Sequence, residues 1–194
     1  VATGPYQRAL VPQALAQQLD LFQLHASAYR RPAQLPPGAV LVVGSGASGA
    51  QIAEELLQAG RQVILSVGRH RRLPRRYRGR DVIGWMSALG LDQTRVEDRG
   101  PETSYPLITG GGGGHTIDLR AFAAQGMTLT GRLVSAQGGQ LGFADDLRQN
   151  LDAGDAAYVG FLQTVDAHIL QQGLALPAEP EAHARLPDPP CVQH

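Results

Sequence analysis

One segment of the chain leaves little choice of fold: "VLVVGSGASGAQIAEELLQAGRQVILSVGRHRRLPRR", residues 40–76. A continuous apolar, β-branched run at 39–43 ends on glycine, the pattern of a strand buried on both faces. The stretch 48–59 then carries Ile52, Ala53, Leu56 and Leu57 at helical spacing. Gly60 stands just past its end, where a left-handed cap is needed. A second apolar run at 63–67 supplies another strand. Strand, glycine turn, helix, glycine, strand makes one right-handed βαβ unit, whose strands are parallel.

The turn itself reads "GSGASG", a full G-x-G-x-x-G on Gly44, Gly46 and Gly49. In this pattern the first glycine makes the sharp strand-to-helix turn. The second leaves room for a pyrophosphate at the backbone, and the third lets helix and strand pack closely. The helix start adds unsatisfied N–H groups and a positive dipole end. Gly44, Ser45, Gly46, Ala47, Ser48 and Gly49 are therefore the expected phosphate cradle. A lone fingerprint is weak evidence; one placed between a buried strand and an amphipathic helix is specific. The alternative is a glycine turn that serves packing alone.

The end of the second strand reads "SVGRHRR". A site for NAD or FAD keeps an acidic residue there for the ribose 2′-hydroxyl. No carboxylate lies between Glu55 and Asp81. Ser66 can donate to a phosphate oxygen, and Arg69, Arg71 and Arg72 can form charge-assisted pairs with one. His70 is a further candidate. The physical choice is NADPH, whose 2′-phosphate a carboxylate would repel. The alternative is a solvated basic loop, or one bound to carboxylates such as Asp81. Residues 69–80 hold seven of the 17 arginines, and those from 75 to 80 are expected to be structural or interfacial.

A short helix is expected at 12–19 and a proline-rich connector at 30–38. Residues 82–89 look helical. Residues 92–116 look like a loop ending in five glycines at 110–114. A short helix is expected at 116–126, then a hairpin with strands near 127–136 and 140–143 around Gly138 and Gly139. Leu147, Leu151, Tyr158, Leu162, Val165 and Ile169 hold a 3.6 period through one long helix, which Gly154 and Gly160 should weaken or bend. The fold class expected is α/β: a Rossmann-type parallel sheet with flanking helices and a β-hairpin or meander.

Composition excludes several functions. Formal net charge is zero, so no global field argues for nucleic acid. No apolar run approaches the roughly 20 residues of a bilayer span, and the first residues lack the pattern of a signal peptide. Cys191 is the one cysteine, so an internal disulfide is excluded and a reducing, cytoplasmic setting is the default expectation. All basic side chains are arginine, which excludes a lysine-bearing P-loop and Schiff-base chemistry. The histidines are scattered, so no metal site is expected. Ser48 does not have the spacing of a nucleophile elbow. Trp85, Met86 and Leu89 read as a core stripe.

These motifs carry a resemblance. "VATGPYQRALVP" (1–12), "HASAY" (25–29), the fingerprint and its arginine loop resemble flavin-dependent monooxygenases with two dinucleotide-binding domains. The chain is similar more narrowly to bacterial flavoprotein oxidoreductases, through "HTIDLRAFAAQGMTLTGRL" and "FADDL". Where the monooxygenase signature has an aromatic and a glycine, this chain has Leu19 and Leu21. The resemblance implies an NADPH-binding domain at 39–173. It also implies a linker at 1–38 from a missing FAD domain and an irregular proline-rich tail at 174–194. The implied partners are that FAD-binding domain and a small-molecule substrate, with FAD held mainly outside this chain. The implied activity is hydride delivery from NADPH to the flavin, and the fragment alone should not turn over. No catalytic residue is assigned; His25 and Tyr29 either line the nicotinamide side or serve structure. Two alternatives stay open: a flavoprotein reductase, and a regulatory NAD(P)(H)-sensing module associated with a transporter.

Overall fold

The computed structural model describes residues 21–93 and 106–192. The helix expected at 12–19, the segment at 1–12 and Leu19 lie outside the described residues. The central sheet is parallel, in the order β1 (Val40–Val43), β2 (Val63–Ser66), β7 (Thr128–Thr130). Val40 pairs with Val63, and Ile64 with Thr128. Helix α1 (Ala47–Gln58) connects the first two strands and buries Ala50, Ala53 and Leu56 against them. This is the α/β, parallel-sheet architecture that the hydrophobic pattern predicts.

β1 is less enclosed than its composition suggests. All four of its residues are only partly buried or exposed, and Val43 is 55% exposed. The reason is position: β1 is an edge strand among the described residues, and β2 is the central one.

After β2 the chain makes small paired segments rather than a plain loop. β3 (Arg71–Arg72) pairs in parallel with β6 (Pro106–Leu107). β4 (Arg76–Tyr77) and β5 (Arg80–Asp81) form a tight antiparallel pair. Asp81 then caps helix α2 (Val82–Ala88) by accepting from the Ile83 N–H. Helix α3 (Leu119–Ala124) starts on Asp118, which accepts from the Arg120 N–H in the same way.

The strand expected over 127–136 is two strands. β7 belongs to the parallel sheet, and the chain turns at Gly131 before β8 (Leu133–Gln137) pairs with β9 (Gln140–Phe143). The Gly138–Gly139 turn has φ of 57° and 77°, so the left-handed conformation there needs glycine. Alternation alone cannot show where a strand leaves one sheet for another.

Helix α4 (Leu147–Gln171) runs unbroken for 25 residues, so Gly154 and Gly160 do not interrupt it. It joins two cores. Its first turns place Leu147 and Leu151 in the cluster formed by the sheet, α1 and α3. Its later turns place Tyr158, Phe161, Leu162, Val165 and Ile169 against Leu73, Tyr77, Val82 and Trp85. Gly154 lies between, where a Cβ would stand 2.4 Å from the His70 ring. The glycine is there to admit the imidazole.

The described parts of the two flanking segments, 21–38 and 174–192, pack on this body. Arg61 donates to the carbonyls of Pro36 and Gly38, and Tyr29 and Leu35 pack on the first core. The tail after 173, expected to be irregular, carries two 3-10 turns, Pro180–His183 and Pro190–Val192. Its Leu176 and Ala182 cover the second core. Arg185 and Asp188 join a network with Arg120, Arg148, Asp152 and Asp155. Among the described residues no helix is long and apolar enough to cross a membrane.

Candidate functional site

The three fingerprint glycines have three separate physical jobs. Gly44 has φ of 101°, and its N–H donates to the Ser66 carbonyl at 3.0 Å, so the chain leaves the sheet sharply. Gly49 faces that turn: a Cβ built on it would lie 1.9 Å from the Gly44 carbonyl oxygen. Gly46 differs from both. Its φ of −69° suits any residue, and a Cβ there would meet nothing within 4 Å. Its space is open, and it caps the first turn of α1. The first intrahelical bond runs from the Ala50 N–H to the Gly46 carbonyl. The amides of Ala47, Ser48 and Gly49 precede it, and Ser48 is exposed.

Ser45 is buried and ties the turn to the loop after β2. Its Oγ donates to the Gly68 carbonyl at 3.2 Å and accepts from the Gly68 N–H at 3.1 Å. The fingerprint and the start of the arginine loop are thereby joined, and Ser45 is a brace between them.

The arginine loop divides into residues that face out and residues that face in. Arg69 is exposed at the carboxyl end of β2, and Arg71 is half-buried on β3. Two of the expected phosphate partners are committed elsewhere. Ser66 is buried; its Oγ donates to the Gly131 carbonyl at 3.0 Å and accepts from the Leu133 N–H at 3.0 Å. It braces β2 to the turn after β7, and a buried hydroxyl with both roles used has nothing left for a phosphate. Arg72 is buried, paired with Asp118 at 2.6 Å and Asp155 at 2.8 Å, and lies 4.1 Å over the Tyr158 ring. Its charge is neutralised inside the fold. Arg71 and Arg72 are on a strand, so their side chains point to opposite faces, and Arg72 is the buried one.

His70 also turns inward. Its Nδ1 lies 3.1 Å from the Gly68 carbonyl oxygen, and burial pushes its pKa down. The ring is seated against Gly154 of α4. The later arginines are structural, as expected. Arg75 pairs with Asp81 at 3.0 Å and Arg78 with Asp166 at 2.7 Å, and Arg80 lies 4.5 Å over Trp85. Trp85 is fully buried and donates to the Tyr77 carbonyl at 2.9 Å.

His25 accepts from the Ser27 N–H at 3.2 Å and so caps the 3-10 turn Ala26–Ala28. The Tyr29 hydroxyl is pushed up to about 12, first by burial and then by Glu55. At neutral pH that hydroxyl keeps its proton. A cleft of about 400 Å³ lies between α1 and the glycine-rich segment, lined by Gln51, Glu54, Thr109 and His115 among others. His115 is 2.8 Å from Glu54, and the cleft contains no fingerprint glycine. Among the described residues no group of acidic, histidine and cysteine side chains is arranged to hold a metal ion.

One residue at the site escaped the reading of the sequence. Arg132 follows β7, and its aliphatic stem lies against Gly68. It is far from the fingerprint in sequence and carries no local signal. Only the pairing of β2 with β7 brings it there.

Three relatives match the chain. A Geobacillus kaustophilus protein named "Uncharacterized oxidoreductase CzcO-like" is 45% identical over 93 residues, covering 47% of this chain and 26% of the relative. Proteins named "Uncharacterized oxidoreductase CzcO" from Bacillus velezensis and Bacillus subtilis are each 36% identical over 92 residues, 47% of this chain and 27% of theirs. The match thus spans about a quarter of the length of these curated relatives. No protein-family model matches the chain, and no solved structure matches it.

Proposed function

We propose that this chain is the NADPH-binding part of a flavin-dependent oxidoreductase of monooxygenase-like type. The observation that carries the reading is the difference between Gly46 and its neighbours. Gly44 and Gly49 are explained by the turn and by packing; Gly46 is not, because a side chain there would meet nothing. A position kept bare in open space, at the start of a helix, fits the close approach of a pyrophosphate. The fit extends to the ribose: Arg69 and Arg71 follow β2, near where an acidic residue would favour NAD, and no carboxylate lies between Glu55 and Asp81. The names of the relatives support oxidoreductase chemistry.

In this reading Gly44, Gly46, Ala47, Ser48 and Gly49 hold the pyrophosphate, and Arg69 and Arg71 the 2′-phosphate. Ser45 holds the turn on Gly68 and keeps the cradle in register. The bound nicotinamide supplies a hydride to a flavin carried outside this chain. The residues described here bind and orient the donor.

Titration calorimetry with NADPH and NADH, repeated on Arg69→Ala, tests the proposal. NADPH is expected to bind more tightly. Arg69→Ala should cost about 1.5–3 kcal/mol for NADPH and little for NADH, the value of one charge-assisted pair. Binding of neither nucleotide by the parent chain overturns the assignment.

A further inference from the structure

We infer that Arg132 is a specificity-determining residue that reads the 2′-phosphate of the adenosine ribose from the β7 side of the site. The inference rests on the dinucleotide reading and extends it to a residue outside the fingerprint and its loop.

Ligands of open α/β sheets bind outside the carboxyl ends of the strands. Here the carboxyl ends of β2 and β7 are adjacent: Ser66 is in register with Thr130, and the Val67 N–H donates to the Thr130 carbonyl at 2.9 Å. The residues that follow, 67–69 and 131–133, therefore border one space. Gly68 faces it, and a Cβ built on Gly68 would lie 3.7 Å from Cγ of Arg132 and 3.8 Å from its Cδ. Gly68 is held to the fingerprint by Ser45, so Arg132 sits over the loop that joins the pyrophosphate cradle to Arg69.

Arg132 is held before any ligand arrives. Gly131, which precedes it, admits no side chain: a Cβ there would be 1.9 Å from the Ala144 carbonyl oxygen. The Arg132 N–H donates to Asp146 Oδ1 at 3.0 Å, and its carbonyl accepts from the Ala144 N–H at 2.8 Å. Its Nε donates to Asp146 Oδ2 at 2.5 Å. Burial alone would raise the Asp146 carboxyl, but the hydrogen bonds from the Arg132 side chain and backbone hold it below its ordinary range. The side chain is nevertheless 61% exposed. Asp146 grips Nε, and the terminal Nη groups are the donors that match a phosphate bidentately. A guanidinium already ordered by its own backbone loses little freedom on binding. Arg72 and Arg120 differ, since each is buried among two or more carboxylates.

The test is calorimetry of the parent chain, Arg132→Ala and Arg132→Lys with NADPH and with NADH, each variant checked by thermal melting. Arg132→Ala is expected to weaken NADPH about tenfold and leave NADH unchanged, the loss of one charge-assisted pair. Arg132→Lys is expected to restore only part of it. An unchanged NADPH affinity in Arg132→Ala overturns the inference while leaving the dinucleotide reading intact. Equal weakening of NADPH and NADH overturns it also, since the contact would then be to the shared part of the nucleotide. Failure of the parent chain to bind either nucleotide overturns the dinucleotide reading and this inference with it.

Discussion

The two glycines Gly46 and Gly49 allow packing and binding to be separated by substitution. Gly49→Ala places a methyl 1.9 Å from the Gly44 carbonyl oxygen and 3.0 Å from its carbonyl carbon. Both obstacles are backbone, so no side chain can swing aside. Either α1 moves away by more than an ångström or the turn opens and breaks the Gly44 bond to Ser66. Overpacking costs typically 1–3 kcal/mol and more where the neighbour is rigid, so about 3 kcal/mol is expected here. At roughly 2–4 °C per kcal/mol for a chain of this size, the melting temperature should fall by about 6–12 °C. Gly46→Ser is the contrasting change. Its φ of −69° and ψ of 175° suit serine, and nothing stands within 4 Å. Serine is also a good helix N-cap, so stability should change by only a few tenths of a kcal/mol. The hydroxymethyl group instead fills the space left for the pyrophosphate, and NADPH affinity should fall by at least tenfold. Differential scanning calorimetry and titration calorimetry on the same preparations read both quantities. If Gly49→Ala melts with the parent, the close-packing argument is wrong. If Gly46→Ser binds NADPH like the parent, the open space at Gly46 is not a phosphate cradle.

Two other perturbations test the frame around the site. Burial depresses the His70 pKa below its ordinary value of 6.5, so the unfolded chain takes up a proton that the folded chain refuses. Stability from this group is therefore present above about pH 6.5 and is lost as pH falls toward the depressed value. Melting temperatures between pH 7.5 and 5 should drop in the parent and drop less in His70→Asn; equal slopes would remove His70 as the cause. Arg120 has a side chain only 1% exposed and pairs with Asp152, Asp155 and Asp188. Arg120→Met should destabilise by about 3 kcal/mol, because the partially buried Asp155 keeps its charge and loses a partner. Urea denaturation measures this, and a loss below about 1 kcal/mol would mean that solvent and Arg185 compensate.

Most of the central unit was legible in the sequence because its signals are local. The apolar run at 40–43, the glycine spacing and the helical period of Ile52, Ala53, Leu56 and Leu57 each depend on neighbours within a few residues. The same holds for the β8–β9 turn at Gly138 and Gly139 and for the span of α4. Side-chain direction was not legible. Ser66, Arg72 and His70 are chemically suited to a phosphate, and composition lists them beside Arg69. Which of them faces the site depends on the alternation of β3 and on what lies behind it. Gly154 looks like a helix weakness in sequence and is a seat for the His70 ring in the fold.

The sequence by itself determined the βαβ unit, the glycine turn and the absence of a carboxylate at the end of β2. Those features follow from backbone sterics and hydrophobic period, which act over one or two turns of chain. Tertiary structure alone decided the register of β2 against β7, the division of the arginines between buried pairs and the exposed end of the sheet, and the placing of Arg132 over Gly68. It also decided that the tail covers the second core through Leu176 and is tied to α4 by Arg185 on Asp152 and Asp155. A charged side chain is written identically whether it meets water or a buried carboxylate. What separates the two is the desolvation and pairing that only packed neighbours impose.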